Sequence, residues 1–275
     1  MMMPNKLVSY SEKKVNIGDA IQTIALEQFL KSRGIQIHGY VDRKNMTNNM
    51  IINGWHRHKN ERLPSKAFFI GVHTDRDHLQ DVSKDCTIGC RDDFTLKCAQ
   101  ELGFHSVLSY CATTTFEKYN GPRDGIIKKF HGEKEINDNS SIDKQLLAAD
   151  RVLRKIKKAS LICRAIKKIY GTNEIDNNAS FDKQVQVANQ ILGKLKTANL
   201  VYTDRLHIAL PCIAFGTPVI LTPRKFQLER YSIFNVPLYP GHNKVVTPNS
   251  GLREYFIHEF NKSFDLIWHD FPSAV

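Results

Sequence analysis

The stretch NLVYTDRLHIALPCIAFGTPVIL, residues 199–221, contains the unit that decides the fold. Residues 200–202 have the apolar character of a short buried strand, and residues 208–215 are apolar and small, as in a tightly packed helix. The Gly-Thr-Pro of residues 216–218 ends this helix, and residues 219–221 begin a second strand. A strand, a helix and a strand in such close succession predict two parallel strands joined by a crossover. The chain is therefore predicted to be an α/β protein.

The turn between this first strand and the helix carries two basic side chains, Arg205 and His207. The N terminus of a helix presents free backbone N–H groups and the positive end of the helix dipole, so it favours an anion. We therefore predict an anion-binding turn. The alternative is an ordinary surface pair at a helix start.

The segment NIGDAIQTIALEQFL, residues 16–30, predicts a helix near the start of the chain. Its apolar positions recur at helical spacing, and Gly34 is expected to end it. This puts Asp19 in the first helical turn, where a carboxylate interacts favourably with the dipole. Helix capping and catalysis are both consistent with Asp19 at this point.

Further polar residues follow predicted strands in the first half of the chain. Strands are expected at residues 50–54, 68–72 and 87–92, and the last of these leads into a helix. Trp55, His73 and Arg91 then lie at strand ends. The structural alternatives are packing for Trp55, a buried polar contact for His73 and a salt bridge for Arg91 with Asp92, which would also cap the helix.

Composition limits the function without naming it. The 275 residues are 41% hydrophobic and 24% charged, as expected of a globular protein, and the net charge of +11 favours anionic partners. The alternative is that much of the excess, within residues 155–168, forms the solvated face of a helix. The six cysteines form no metal-binding pattern, no nucleic-acid motif is present, and no apolar run reaches the ~18 residues of a transmembrane helix. We expect a cytoplasmic protein, either free or in peripheral contact with a membrane surface.

An internal repeat occupies the middle of the chain. Residues 141–164 align with residues 180–203 at a constant offset of 39, and 10 of the 24 positions are identical. Such a match predicts a duplicated helix and strand, of which only the second copy continues into the Arg-Leu-His turn. Residues 117–139 read as a linker with at most one strand, and residues 251–267 as an amphipathic terminal helix.

Several of these motifs together resemble the polysaccharide pyruvyl transferase family. RLHIALPCIAFGTPVI (205–220) is similar to the family's signature, NIGDAIQTIALEQFL (16–30) to its Asn-x-Gly-Asp start, and IGCRDDFTLKCAQELGF (88–104) to its Arg-Asp segment. INGW (52–55) and FFIGVHT (68–74) are similar to segments of a bacterial subgroup of pyruvyl transferase-like proteins.

The resemblance implies two facing, doubly wound, Rossmann-like domains arranged as in B-type glycosyltransferases. The first would span residues 1–115 on the acceptor side and the second residues 116–249 on the phosphoenolpyruvate side. The terminal helix, within residues 250–275, would pack back on the body.

The function implied is transfer of a pyruvyl ketal from phosphoenolpyruvate to the hydroxyls of a sugar, in a glycan or in a free or lipid-linked precursor. His207 is the candidate acid and Asp19 the candidate base. Phosphoenolpyruvate is the donor substrate, and neither a cofactor nor a metal is expected. The remaining candidate site residues would bind substrate: Arg205, Leu206, Arg91, Asn16, Gly18, Asn53, Trp55 and His73.

Two other functions are consistent with the same motifs. A sugar-nucleotide glycosyltransferase on this fold would use the Arg-His turn to bind a diphosphate. A non-catalytic glycan- or anion-binding relative would keep the turn and lack the chemistry.

Overall fold

The computed structural model describes residues 4–10, 16–58, 61–131, 134–137, 180–221, 233–234, 244–246 and 251–271. The first copy of the predicted duplication, residues 141–164, lies outside the described residues. Within the described part, no helix has the length and apolar character needed to cross a membrane.

The first sheet has six strands, all paired in parallel. They are β1 (Lys6–Ser9), β2 (Gly39–Asp42), β3 (Ile51–His56), β4 (Phe68–Thr74), β5 (Ile88–Cys90) and β6 (Ser106–Leu108). The spatial order is β2-β1-β3-β4-β5-β6, so the direction of winding reverses between β1 and β3. Such a reversal opens a crevice at the carboxyl ends of the strands.

Three helices belong to this sheet: α1 (Ile17–Ser32), α2 (Arg76–Leu79) and α3 (Asp93–Glu101). Short 3-10 helices follow β2 at Arg43–Asn45 and β6 at Ala112–Thr115. α1 begins and ends where the sequence predicts, because Asn16 caps its first turn and Gly34 adopts a positive φ of 74° just beyond its end.

The second sheet has the order β11-β10-β9-β7-β8. Its strands are β7 (Ile126–His131), β8 (Lys134–Asn137), β9 (Leu200–Thr203), β10 (Val219–Leu221) and β11 (Lys244–Val246), and its three central strands are parallel. The other helices in the described residues are α4 (Phe181–Thr197), α5 (Leu206–Phe215) and α6 (Leu252–Asp270). The strand, helix and strand predicted within residues 199–221 are confirmed as β9, α5 and β10.

The linker prediction was wrong about residues 117–139, which contain the antiparallel pair β7 and β8 where at most one strand was expected. β8 is an edge strand held by backbone hydrogen bonds, so its pairing leaves no hydrophobic periodicity for sequence analysis to detect.

Side-chain alternation along the first sheet supplies two hydrophobic layers. Leu7, Ile51 and Phe68 belong to one core cluster, whereas their neighbours Val8 and Ile52 belong to the other. This two-residue period matches strands covered on both faces.

One of these core clusters is continuous with the second sheet. It contains Ile21 of α1, Val201 of β9, Ile213 of α5 and Phe260 of α6. α1 contacts both α4 and α5, so it lies between the halves of the molecule. The mixed α/β fold is thereby confirmed, and the two-domain B-type arrangement stays a prediction.

Candidate active site

The N-terminal ends of α1 and α5 meet at the carboxyl edge of the first sheet. This edge includes the reversal point between β1 and β3, where open α/β sheets bind ligands. Polar side chains from the ends of β3, β4 and β5 lie at the same edge. The candidate site is therefore assembled from segments that are far apart in the sequence.

Asn16, and not Asp19, caps helix α1. The Asn16 Oδ1 accepts a hydrogen bond from the backbone N–H of Gly18 at 3.2 Å. Asp19 lies in the first turn and is only 5% exposed. The capping alternative for Asp19 is therefore wrong, and its buried carboxyl group needs another explanation.

The environment of Asp19 makes it a proton acceptor near neutral pH. Its Oδ1 accepts a hydrogen bond from Gln22 Nε2 at 3.2 Å. Burial raises the pKa of Asp19 from its ordinary value of 3.8 to about 6, against the opposing charges of Arg43, Arg91 and His56. A carboxyl group with this pKa suits a general base better than an exposed aspartate does.

Arg91 connects the two halves of the site. It follows β5 and is 1% exposed. Its Nη1 lies 3.3 Å from His207 Nε2 and donates to Gln22 Oε1 at 3.4 Å. Its Nε lies 3.5 Å from Asp92 Oδ2, an ion-pair distance, but makes no hydrogen bond with any described residue. The Nε–H is therefore a buried donor without a hydrogen-bond acceptor among the described residues.

The contact with Arg91 determines the tautomer of His207. A guanidinium group can only donate, so His207 Nε2 must be the acceptor and the ring proton must lie on Nδ1. A doubly protonated His207 would put two cations 3.3 Å apart. An anion bound beside both groups would remove this conflict.

Arg205 and Leu206 have different surroundings although they are adjacent. Arg205 is the N-cap residue of α5 without a side-chain capping bond, and its side chain is 46% exposed. Its Nε lies 3.8 Å from Asp204 Oδ1. The side chain of Leu206 belongs to the hydrophobic core, so any contact with substrate would use its backbone.

Asp92 and His73 form a buried pair behind Arg91. Asp92 caps α3 by accepting from the Thr95 N–H at 3.1 Å, and its Oδ2 lies 2.6 Å from His73 Nδ1. Burial raises the pKa of Asp92, but the bond to His73 and the charge of Arg91 outweigh this and hold the pKa well below its usual range. The structural alternative for Asp92, a cap and salt bridge, is confirmed.

Asn53 and Trp55 lie near the end of β3, on either side of Gly54, which has a positive φ of 93°. The Asn53 carbonyl accepts from Tyr10 Oη at 2.5 Å and lies 2.9 Å from His56 Nε2. Among the described residues, neither Asn53 Oδ1 nor Trp55 Nε1 has a hydrogen-bond partner, although both atoms are buried. A polar ligand could satisfy both groups.

Several polar residues of this site were not predicted from the sequence. Gln22 carried one signal, its position one helical turn after Asp19. Tyr10, Arg43 and His56 carried none, because their contacts depend on packing. Arg43 lies 5.6 Å from the centre of the Tyr10 ring, and His56 Nδ1 lies 2.6 Å from Glu61 Oε1.

A comparison with protein-family models decides the family of this chain. The model described as polysaccharide pyruvyl transferase matches residues 16–224. The chain belongs to this family. The match begins at the cap of α1 and includes Asp19, Arg91 and His207. A search of the curated proteins found no match. Family membership supports a transferase that modifies a glycan.

We expect Gly18→Ala to disturb the site without unfolding α1. A Cβ on Gly18 would lie 2.6 Å from His207 Nδ1, so the imidazole would have to shift from the position in which it contacts Arg91. Turnover should fall about tenfold or more, since displacements of this size matter in active sites.

The matched control for this substitution is Gly193→Ala in α4, where an added Cβ meets nothing within 4 Å. It should leave turnover unchanged and raise the free energy of unfolding by about 0.5–1 kcal/mol. Initial rates and urea denaturation measure both effects. Equal rates for the two variants would contradict a role for the Gly18 contact.

Proposed function

We propose that the protein transfers the pyruvyl group of phosphoenolpyruvate to two hydroxyls of one sugar residue, forming a cyclic ketal and releasing phosphate. The observation that carries the proposal is the 3.3 Å contact between Arg91 and His207 beside the buried carboxyl group of Asp19. This arrangement combines donors for an anion, an ionisable imidazole and a candidate base. The family match supports the same reaction class.

The reaction has two bond-forming steps. In the first, one sugar hydroxyl adds to C2 of phosphoenolpyruvate while a proton is added at C3, which becomes a methyl group. In the second, the C2–O bond to phosphate breaks and the second hydroxyl adds to C2, its proton leaving with the phosphate. Each step needs a proton to be supplied or removed, so an acid and a base must lie on either side of C2.

The donor carries a phosphate and a carboxylate, which three cationic or donor groups can bind. Arg91 offers an N–H that no described residue accepts, His207 offers its ring, and Arg205 has a half-exposed side chain at the N terminus of α5. We propose that the donor enters between Arg91 and His207 and replaces their mutual contact with charge-assisted hydrogen bonds.

His207 is then the acid and Asp19 the base. The negative charge of the donor would allow His207 to become doubly protonated beside Arg91, and that proton is the one delivered to C3. Asp19, with a pKa of about 6, is mostly ionised at pH 7 and can accept the hydroxyl proton.

The acceptor would lie at the ends of β3 and β4. Trp55 and His73 are paired in register there, and Asn53 Oδ1 and Trp55 Nε1 can hydrogen-bond sugar hydroxyls. We propose a glycan precursor in the cytoplasm, free or lipid-linked, with no cofactor beyond the donor substrate.

Phosphate release tests this function. The protein is incubated with phosphoenolpyruvate and a panel of sugars that carry neighbouring hydroxyl pairs. We expect phosphate together with a product heavier than the acceptor by one pyruvate less one water. Release of nucleoside diphosphate from sugar nucleotides would instead establish the glycosyltransferase alternative. If phosphoenolpyruvate binds but no phosphate is released with any acceptor, the protein is instead the non-catalytic binding relative.

Arg205→Ala and His207→Ala should each weaken the binding of phosphoenolpyruvate by about 1.5–3 kcal/mol, the contribution of one hydrogen bond to a charged group. The melting temperature should change little for Arg205→Ala, because this side chain is half-exposed and makes no capping bond. Calorimetric titration measures the affinities.

Arg33→Ala is the control for both variants. Arg33 follows the opposite end of α1 and pairs with Asp265 at 2.5 Å. The affinity of the Arg33→Ala variant for phosphoenolpyruvate should equal that of the wild type. Wild-type affinity in both site variants would refute the anion-binding turn.

A further inference from the structure

We propose that Gln22 is a positioning residue that joins the candidate base Asp19 to the donor-binding Arg91 and controls the ionisation of Asp19. Its side-chain amide bonds both groups at once: Nε2 donates to Asp19 Oδ1 at 3.2 Å, and Oε1 accepts from Arg91 Nη1 at 3.4 Å. The same Arg91 nitrogen lies 3.3 Å from His207 Nε2. Gln22 therefore belongs to one continuous path from base to acid.

The charges on either side permit only one orientation of this amide. With oxygen and nitrogen exchanged, the amide oxygen would face the carboxylate and the NH2 group would face the guanidinium, which cannot accept. In the observed orientation the amide donates to the charged form of Asp19 and so favours it. Gln22 is 0% exposed, so water is not available to replace either bond.

Other groups also face Asp19, from several elements, and Gln22 acts in addition to them. They are Tyr10 after β1, Asn16 at the start of α1, Arg43 after β2, His56 of β3, Arg91 after β5 and Cys111 after β6. Of these, Arg91 and Cys111 share Gln22 with Asp19, since the Cys111 thiol also donates to Gln22 Oε1 at 3.6 Å, whereas Arg43 and His56 act on Asp19 through their charges. Removing the Gln22 amide should therefore change Asp19 and Arg91 together.

Variants of Gln22 distinguish this role from a purely structural one, in which the side chain only fills space in α1. Gln22→Met keeps the length and volume of the side chain but loses both hydrogen bonds. Gln22→Glu keeps its shape and the acceptor for Arg91 but turns the donor facing Asp19 into a second carboxyl group. Gln28→Met is the matched control, since Gln28 is an exposed glutamine of the same helix.

The first measurement needs no substrate. The full-length protein is labelled with 13C at aspartate carboxyl carbons, and the Asp19 signal is identified by its loss in Asp19→Asn. We expect its titration midpoint to rise by about half a pH unit in Gln22→Met and by about one unit or more in Gln22→Glu. Gln28→Met should leave the midpoint unchanged. A wild-type midpoint in both Gln22 variants would overturn the proposal.

The second measurement rests on the proposed function. In the rate–pH profile for phosphate release, the acidic limb of kcat/KM should move to higher pH in Gln22→Met by the shift seen in the titration. At pH 7 the kcat should fall by less than about twofold through the change in ionisation of Asp19 alone, because most of the carboxyl group is still ionised there; melting temperatures are checked in parallel. A lower melting temperature with an unmoved acidic limb would mean that Gln22 is structural and would overturn the proposal.

The two measurements separate two kinds of failure. If the wild type releases no phosphate but the midpoint of Asp19 moves as expected, the proposed reaction is wrong and the control of Asp19 by Gln22 stands. If phosphate is released and the midpoint of Asp19 does not move, the proposed reaction stands and the control of Asp19 by Gln22 is wrong.

Discussion

Asp19→Asn should abolish turnover and also stabilise the protein above pH 6. The loss of activity follows because an amide cannot accept a proton as a carboxylate does, and the rate should fall by about 100-fold or more. Phosphoenolpyruvate should still bind, because Arg91, Arg205 and His207 are unchanged. Measured phosphate release and calorimetry test both statements.

The gain in stability follows from the sign of the pKa shift. The pKa of Asp19 is raised from 3.8 to about 6 by burial, so between these values the folded state binds the proton more tightly than the unfolded state. The free energy of unfolding therefore decreases as pH rises through this range. Asparagine cannot ionise, so the variant avoids this loss, which amounts to at most about 3 kcal/mol for a shift of this size.

Urea denaturation at pH 7.5 and pH 3.5 checks this reasoning. Asp19→Asn should be more stable than the wild type at pH 7.5, and the difference should be smaller or absent at pH 3.5. Asp93→Asn is the matched control, since Asp93 lies exposed in the first turn of α3. If Asp19→Asn has the same stability as the wild type at pH 7.5 and keeps its activity, then burial of the Asp19 carboxylate does not cost stability and Asp19 is not catalytic.

Arg91→Met should be the most destabilising single change at the site. It removes a cation from a fully buried position beside Asp92, whose carboxylate is also buried. Removing one partner of a buried ion pair costs about 3–5 kcal/mol, because the remaining charge is uncompensated. Asp92 keeps its 2.6 Å contact with His73, so we expect a value near the lower limit.

The double variant Arg91→Met, Asp92→Asn separates the two contributions. Asparagine caps helices about as well as aspartate, so it can keep the bond to Thr95 while removing the stranded charge. Stability should return to within about 1–2 kcal/mol of the wild type, whereas affinity for phosphoenolpyruvate should stay low. Restored affinity in the double variant would contradict the role of Arg91 in donor binding.

Local sequence signals predicted the elements that carry the site. The strand and helix around Arg205 and His207, the helix that begins after Asn16, and the cap at Asp92 all follow from short patterns of apolar residues, cap residues and glycines. These patterns act over a few residues, so they can be recognised without the rest of the chain.

Contacts between residues that are far apart in the sequence could not be predicted from such local signals. Arg91 and His207 are separated by 116 positions, and Gln22 and Arg91 by 69. The edge strand β8 was missed for a related reason, since the backbone ladder of a short polar edge strand leaves no periodic pattern.

The amino-acid sequence by itself therefore determined the α/β class, the positions of Asp19, Arg91 and His207 at the ends of regular elements, and the family to which these motifs belong. Only the tertiary structure decided the chemical state of those residues. Burial raises the pKa of Asp19, and the approach of Arg91 fixes the proton of His207 on Nδ1. Both effects depend on desolvation and on distances between side chains, which arise only when the two sheets and α1 are packed together.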